Sequence, residues 1–230
     1  MWDLSKHERL EIEILNGLNS KKISDHLVFC GGTMLRLCHE LNRYSVDLDF
    51  WFVDISKEEE IYKEINKYLE ENYKLKTAAN KHSSLIFEFG SKDYIRNLKI
   101  EVRKAERNIK YEEKIAFSRH SDIQVMVKAA TLEEMMRAKV ETFLNRVRIR
   151  DIFDIEFLLR RGIKIEALKA QLKEMEKLIR RFRAKDYKIT LGSLLEFKDR
   201  QYYKTANFRY LLSHIKTELA AGSVQKPEIV

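Results

Sequence analysis

Between residues 31 and 49 the chain reads Gly31-Gly32-Thr33-x-x-Arg36, followed by Arg43-x-Ser45-x-Asp47-x-Asp49. Two carboxylates two residues apart on a strand project from the same face. Left alone they repel, so something cationic belongs between them. Hard oxygen ligands in a close pair suit Mg²⁺, which keeps several waters and also binds substrate phosphates. Just upstream, Gly31 and Gly32 remove side-chain bulk at a strand-to-helix turn and leave backbone N–H groups open to an anion, typically a triphosphate. Glu101 adds a third acid on a later strand of matching alternation. Taken singly, an Asp-x-Asp is the wet side of a strand and a Gly-Gly is a turn. Their order and combination favour a site. No Gly-Lys-Ser/Thr follows, so this is not a Walker loop, and the third glycine of a dinucleotide fingerprint is missing.

The elements that must position these residues follow from periodicity. Residues 5–20 read as a helix with Leu10, Ile12, Ile14, Leu15 and Leu18 near one face and Glu and Lys on the other. Leu27–Cys30 is a short buried strand broken by Gly31-Gly32, and a helix capped near Thr33 runs to Leu41. Val46–Val53 is a strand with Asp47 and Asp49 on one face and Val46, Leu48 and Phe50 on the other. A charged helix over 57–72 precedes strands at 74–79, 84–89 and 98–103. In the last of these, Leu98, Ile100 and Val102 share one face while Lys99, Glu101 and Arg103 share the other. Residues 104–121 read as polar and irregular, and Ile123–Val127 as one more strand. Helices follow over 131–146, 151–161 (ended by Gly162), 165–183 and 190–219, with a frayed tail from Ala220. The fold class is therefore α+β: a mixed β-sheet with flanking helices over residues 1–128, then an α-helical region over 129–230.

Composition excludes several alternatives. Hydrophobic residues at 44% and aromatics at 10% are too many for a disordered chain, and 7 Gly with 1 Pro rule out collagen-like or linker-rich designs. The net charge of +8 suits a polyanionic partner. The N-terminus runs straight into a charged amphipathic stretch without a signal peptide's apolar core, and no apolar run approaches the ~20 residues a bilayer requires. Cys30 and Cys38 fit no disulfide framework or zinc spacing and read as reduced, buried thiols of a cytoplasmic protein without a membrane partner.

The Gly31-to-Asp49 pattern resembles the active-site signature of the minimal nucleotidyltransferase superfamily, and in particular the AbiEii/AbiGii-type toxin family. A second block supports the same family: Lys139 in a helix, then Arg146-x-x-x-Arg150-Asp151-Ile152-Phe153-Asp154 and Leu158-Leu159. The two blocks span residues 29–160. The resemblance implies a metal-dependent nucleotidyltransferase, the toxin of a toxin–antitoxin or abortive-infection pair. Such an enzyme moves a nucleoside monophosphate from an NTP to an RNA, with tRNA the first candidate. It assigns Asp47, Asp49 and Glu101 to Mg²⁺ or Mn²⁺, Glu101 standing at the third metal-ligand or base position where Asp is more common. It assigns Gly31, Gly32, Thr33, Arg36, Ser45 and Lys139 to the nucleotide, and lets Asp151 organise the site beside Lys139. A cognate antitoxin protein is the implied partner.

Spacing alone also allows blander roles: Lys139 as a surface helix lysine, Asp151 and Asp154 as acids favouring a helix N-terminus, and the arginines as structural ion-pair partners. Between Lys177 and Tyr210, basic residues interleave with Phe197, Tyr202, Tyr203, Phe208 and Tyr210. This suits RNA phosphates and stacked bases, or a solvated face over a core of aromatics. Two rival functions remain at this level: transfer to a small aminoglycoside-like hydroxyl compound, and a catalytically inactive module that binds nucleotide or RNA.

Overall fold

The computed structural model describes residues 4–92, 94, 96–104 and 109–221. The chain divides into two compact units, Met1–Thr131 and Leu132–Val230.

The first unit is built on a mixed seven-stranded sheet. Its strands are β1 (Leu27–Cys30), β2 (Asp47–Phe52), β3 (Lys74–Asn80), β4 (Ser84–Gly90), β5 (Leu98–Arg103), β6 (Tyr111–Ala116) and β7 (Val125–Ala130), in the order β3-β4-β5-β2-β1-β7-β6. The β2–β5 and β1–β7 pairs are parallel and the other neighbours antiparallel. The parallel pairs need crossovers, and the helices supply or flank them: α1 (Leu4–Ser20) against β5 and β7, α2 (Gly31–His39) against β1, β2 and β6, α3 (Glu58–Asn72) against β3 and β4. The alternation expected of β2 and β5 is observed. Leu48 and Phe50 are buried while Asp47 and Asp49 are half-buried, and Leu98, Ile100 and Val102 are buried while Lys99, Glu101 and Arg103 are half-buried. Central β1 is buried along its whole length, with Phe29 against Phe50 at 5.2 Å between ring centroids. Cys30 and Cys38 stay unbridged, and burial pushes the Cys38 thiol up to about 12.

Three details depart from the sequence expectation. The strand ends at Cys30 ahead of Gly31-Gly32 as expected, but the helix starts at Gly31 rather than near Thr33, so the glycine pair forms the first turn of α2 with Cys30 as its N-cap. Gly31 adopts φ +80°, which L side chains rarely take, so a helix begins here without a side-chain cap. The polar side of α1 is solvated only in part: Lys6, Arg9 and Asn16 are exposed, whereas His7, Glu8 and Glu11 are buried. Glu8 accepts from Arg36 and from the Ser118 hydroxyl, and His7 Nε2 lies 3.0 Å from the Val46 carbonyl. The segment read as irregular contains β6, an edge strand exposed on most of its residues, so nothing in its pattern marks a buried face.

The second unit is helical: α4 (Leu132–Arg146), α5 (Ile149–Arg160), α6 (Lys169–Ile179), short π and 3₁₀ turns over Asp186–Leu194, α7 (Phe197–Ala206) and α8 (Arg209–Ala221). Gly162 follows α5 at φ +86°, the helix-ending role expected of it. The single helix expected over 190–219 is two, broken at Asn207 and Phe208, both at positive φ. No glycine marks the break; Phe208 is held there by burial, 5.3 Å from the Tyr203 ring and 5.6 Å from Tyr187. The aromatics thus divide. Tyr203 and Phe208 belong to the core, whereas Phe197, Tyr202 and Tyr210 are exposed. The frayed-tail expectation beyond Ala221 falls outside the described residues. Among the described residues no helix is long and apolar enough to cross a membrane.

Candidate active site

The register of the sheet brings the acids together. Parallel pairing of β2 with β5 sets Asp49 opposite Glu101 and Asp47 opposite Lys99, all on the half-buried face. On the other side of β2, Asp49 is opposite Cys30, the residue from which α2 starts. The Asp49 carboxylate lies against that helix start so closely that a Cβ on Gly31 would stand 2.5 Å from its Oδ2. A Cβ on Gly32 would stand 2.5 Å from Arg43 Nη2 and 2.8 Å from Ser45 Oγ. A side chain at either position would displace these groups, and the glycines leave the positive end of α2 beside the acidic face.

The face carries a cation of its own, Lys99, paired with Glu101. Its ammonium donates to Glu101 Oε2 at 2.9 Å, and Arg103 Nε lies 3.6 Å from Glu101 Oε1. Burial works to lower the Lys99 pKa, but the hydrogen bond to Glu101 and the charges of Asp47, Glu101 and Asp49 outweigh it and hold the pKa above 10.5. Sequence reading placed Lys99 on this face without giving it a role; the alternation of β5 was the available signal.

The donor chemistry fits a divalent cation of the Mg²⁺ type as a two-carboxylate site, Asp47 and Asp49, completed by water and substrate phosphates. Glu101 is engaged by Lys99 and Arg103. Among the described residues no three His, Cys, Asp or Glu side chains gather as a metal-holding group.

Other candidate residues are turned inward. The Thr33 hydroxyl, fully buried, donates to the Asp47 carbonyl at 2.5 Å and ties α2 to β2. Arg36 donates to the Glu8 carboxylate and to the Leu41 carbonyl, and stacks on Tyr44 at 4.0 Å. As oriented here, neither side chain presents its polar atoms at the glycine turn. Arg43 is 2% exposed and donates to the Tyr44 carbonyl at 2.9 Å.

In the second unit Lys139 is not a surface lysine. It is 8% exposed, with its ammonium 2.6 Å from Asp154 Oδ2 and 3.7 Å from Asp151 Oδ1. Arg146 grips Asp151 with two hydrogen bonds, 2.8 and 2.7 Å. Asp151 and Asp154 are both fully buried, so a buried ion cluster of Lys139, Asp151 and Asp154, joined from the surface by Arg146, links α4 to α5. Sequence spacing had also missed Glu156. It is fully buried and accepts from Arg160, from the Tyr203 hydroxyl at 3.1 Å and from the Leu211 N–H at 3.3 Å, which pins α5 to α7 and α8.

JHP933 from Helicobacter pylori shares 19% identity at a TM-score of 0.55, covering 95% of this chain and 98% of that one. A candidate nucleotidyltransferase from H. pylori shares 18% identity at 0.54, covering 91% and 96%. An antigenic nucleotidyltransferase-like protein from Paracoccidioides brasiliensis shares 14% identity at 0.50, covering 85% and 96%. At such identities the likeness is one of fold. No curated protein matches the chain. The family model described as "Nucleotidyl transferase AbiEii toxin, Type IV TA system" matches residues 13–223. The chain therefore belongs to the AbiEii family of nucleotidyltransferase toxins of type IV toxin–antitoxin systems.

Proposed function

We propose that this nucleotidyltransferase moves a nucleoside monophosphate from an NTP to an RNA hydroxyl, tRNA being the first acceptor to test, and that a cognate antitoxin restrains it in the cytoplasm. The observation that carries the catalytic part is the register of β2 and β5, which sets Asp47, Asp49 and Glu101 on one face beside the glycine start of α2. The reaction is an in-line displacement. The acceptor oxygen bonds to the α-phosphorus, the bond from that phosphorus to the β-phosphate oxygen breaks, pyrophosphate leaves, and the acceptor proton passes to a base. When bound, a divalent cation on Asp47 and Asp49 supplies charge neutralisation at the phosphates and a lowered pKa for the attacking hydroxyl. The N–H groups of Gly31 and Gly32 at the start of α2 receive phosphate oxygens. Ser45 and Arg43 border that turn. Glu101 stands at the third metal-ligand or base position, and Lys139, which the family resemblance assigns to the nucleotide, is held by Asp154 and Asp151 within the helical unit.

RNA as acceptor is favoured by where the charge lies. Residues 1–131 carry 22 Lys and Arg against 22 Asp and Glu, whereas residues 132–230 carry 22 against 14, the whole surplus of +8. A basic module suits a polyphosphate acceptor better than a small cationic aminoglycoside. The test is incubation of folded protein with Mg²⁺, each α-labelled NTP in turn, and total RNA. Label entering RNA is the expected result. Absence of labelled RNA with all four nucleotides overturns the reading.

A further inference from the structure

The carboxylate face of β2 and β5 already holds a cation of the chain's own. Lys99 stands opposite Asp47 in the parallel register, one strand away, and donates to Glu101, which stands opposite Asp49. Three carboxylates on one half-buried face would repel strongly with nothing between them. An ammonium on Glu101, within the field of Asp47 and Asp49, lowers that repulsion, at the cost of opposing any other cation drawn to the same face. The Lys99 side chain is 35% exposed, so its head can leave toward water without disturbing the core behind β5. Arg103 lies near the other oxygen of Glu101, at 3.6 Å, and keeps that carboxylate partnered after Lys99 departs.

We propose that Lys99 is the resident counter-ion of this face: it stabilises the unloaded chain by neutralising the acids, and it gives way when a divalent cation binds. Lys99 is thus a positioning residue that sets cation affinity, and it touches neither the attacking nor the leaving oxygen. The inference rests on the reading of Asp47 and Asp49 as the cation-binding pair. It goes further by naming what occupies their field beforehand and what loading must displace. Two consequences follow. Divalent binding is weaker than the bare carboxylates would give, because an ammonium must be moved. The chain also avoids an unpaired acidic cluster between turnovers.

The experiment uses Mn²⁺ as the probe, with free Mn²⁺ followed by electron paramagnetic resonance on the full chain, and melting temperatures recorded in EDTA and in Mn²⁺. Lys99→Gln is expected to bind Mn²⁺ about tenfold more tightly than the wild type, the size of one weakly screened charge contact. It is also expected to melt at a lower temperature in EDTA and to gain more from Mn²⁺. Lys99→Arg, which keeps the charge, should bind Mn²⁺ close to wild type. A readout on the unmodified protein guards against a variant that fails to fold: mass-spectrometric acetylation of Lys99 should rise several-fold when Mn²⁺ is added. Equal Mn²⁺ affinity in the wild type and Lys99→Gln, with Lys99 equally reactive in either condition, overturns the proposal. Asp49→Asn separates this from failure of the underlying site. If it weakens Mn²⁺ binding, the carboxylate pair stands and only the role of Lys99 is at issue. If it leaves binding unchanged, the pair itself is wrong and the inference falls with it.

Discussion

At the scale of single residues, burial decides what each charge can do. Asp49 is half-buried and sits beside a helix start, so its removal takes away the proposed cation ligand without opening the core. Asp49→Ala is expected to cut nucleotide transfer by more than about 100-fold while the melting temperature is retained, a pair of measurements that separates chemistry from folding. Asp154 is the opposite case. Its loss would leave the Lys139 ammonium buried beside an Asp151 already gripped by Arg146, and Asp154→Ala should cost about 3–5 kcal/mol in denaturant unfolding. By the same logic Lys139→Ala reports on folding as well as on catalysis. Glu11 is fully buried with neither carboxylate oxygen hydrogen-bonded, and burial, then the charge of Glu8, holds its pKa well above the ordinary 4.5. A folded-state pKa raised above the unfolded one contributes stability below about pH 4.5 that is lost as pH rises through the folded value. Glu11→Gln should therefore flatten the fall of melting temperature as pH rises above about 4.5 and raise it at the alkaline end, by about 2–4 °C for each kcal/mol recovered.

At the scale of elements, the two glycines at positive φ make a controlled comparison. Gly31 and Gly162 are both left-handed, but a Cβ on Gly31 meets Asp49 Oδ2 at 2.5 Å while one on Gly162 meets nothing within 4 Å. Gly162→Ala should cost only the backbone strain, about 1–2 kcal/mol, and leave transfer intact. Gly31→Ala should carry that strain and also push Asp49 away from the helix start, so transfer falls with stability; circular dichroism melts and labelling assays distinguish the two. Elements with one buried face were legible from alternation or helical periodicity, as β2, β5 and α3 were. Edge strand β6 was not, because water on most of its residues imposes no pattern. The α7–α8 break was not either, because the packing of Phe208 makes it and no turn residue does.

At the scale of the whole molecule, the charge is unevenly distributed: the sheet-bearing unit is neutral overall and the helical unit carries all of the surplus. Arg180, Arg181, Arg183 and Lys185 follow one another closely after α6 and are exposed. Changing them together to Gln should weaken RNA binding and reduce the salt dependence of log K by roughly 0.7 for each charge that meets a phosphate. Filter binding at several salt concentrations reads both effects. An unchanged slope would move the RNA contact elsewhere.

The sequence by itself determined the local chemistry: an acid pair with a common face, a glycine pair where a strand gives way to a helix, and a basic helical half. Those follow from residue type and a fixed backbone period, which any stretch of chain carries with it. Tertiary structure alone decided that Glu101 lies opposite Asp49, that Lys99 takes up the charge of the acids, that Thr33 and Arg36 turn inward, and that Lys139 is locked to Asp154. Strand register and helix packing join residues tens of positions apart, and no local pattern records which partner a side chain will meet.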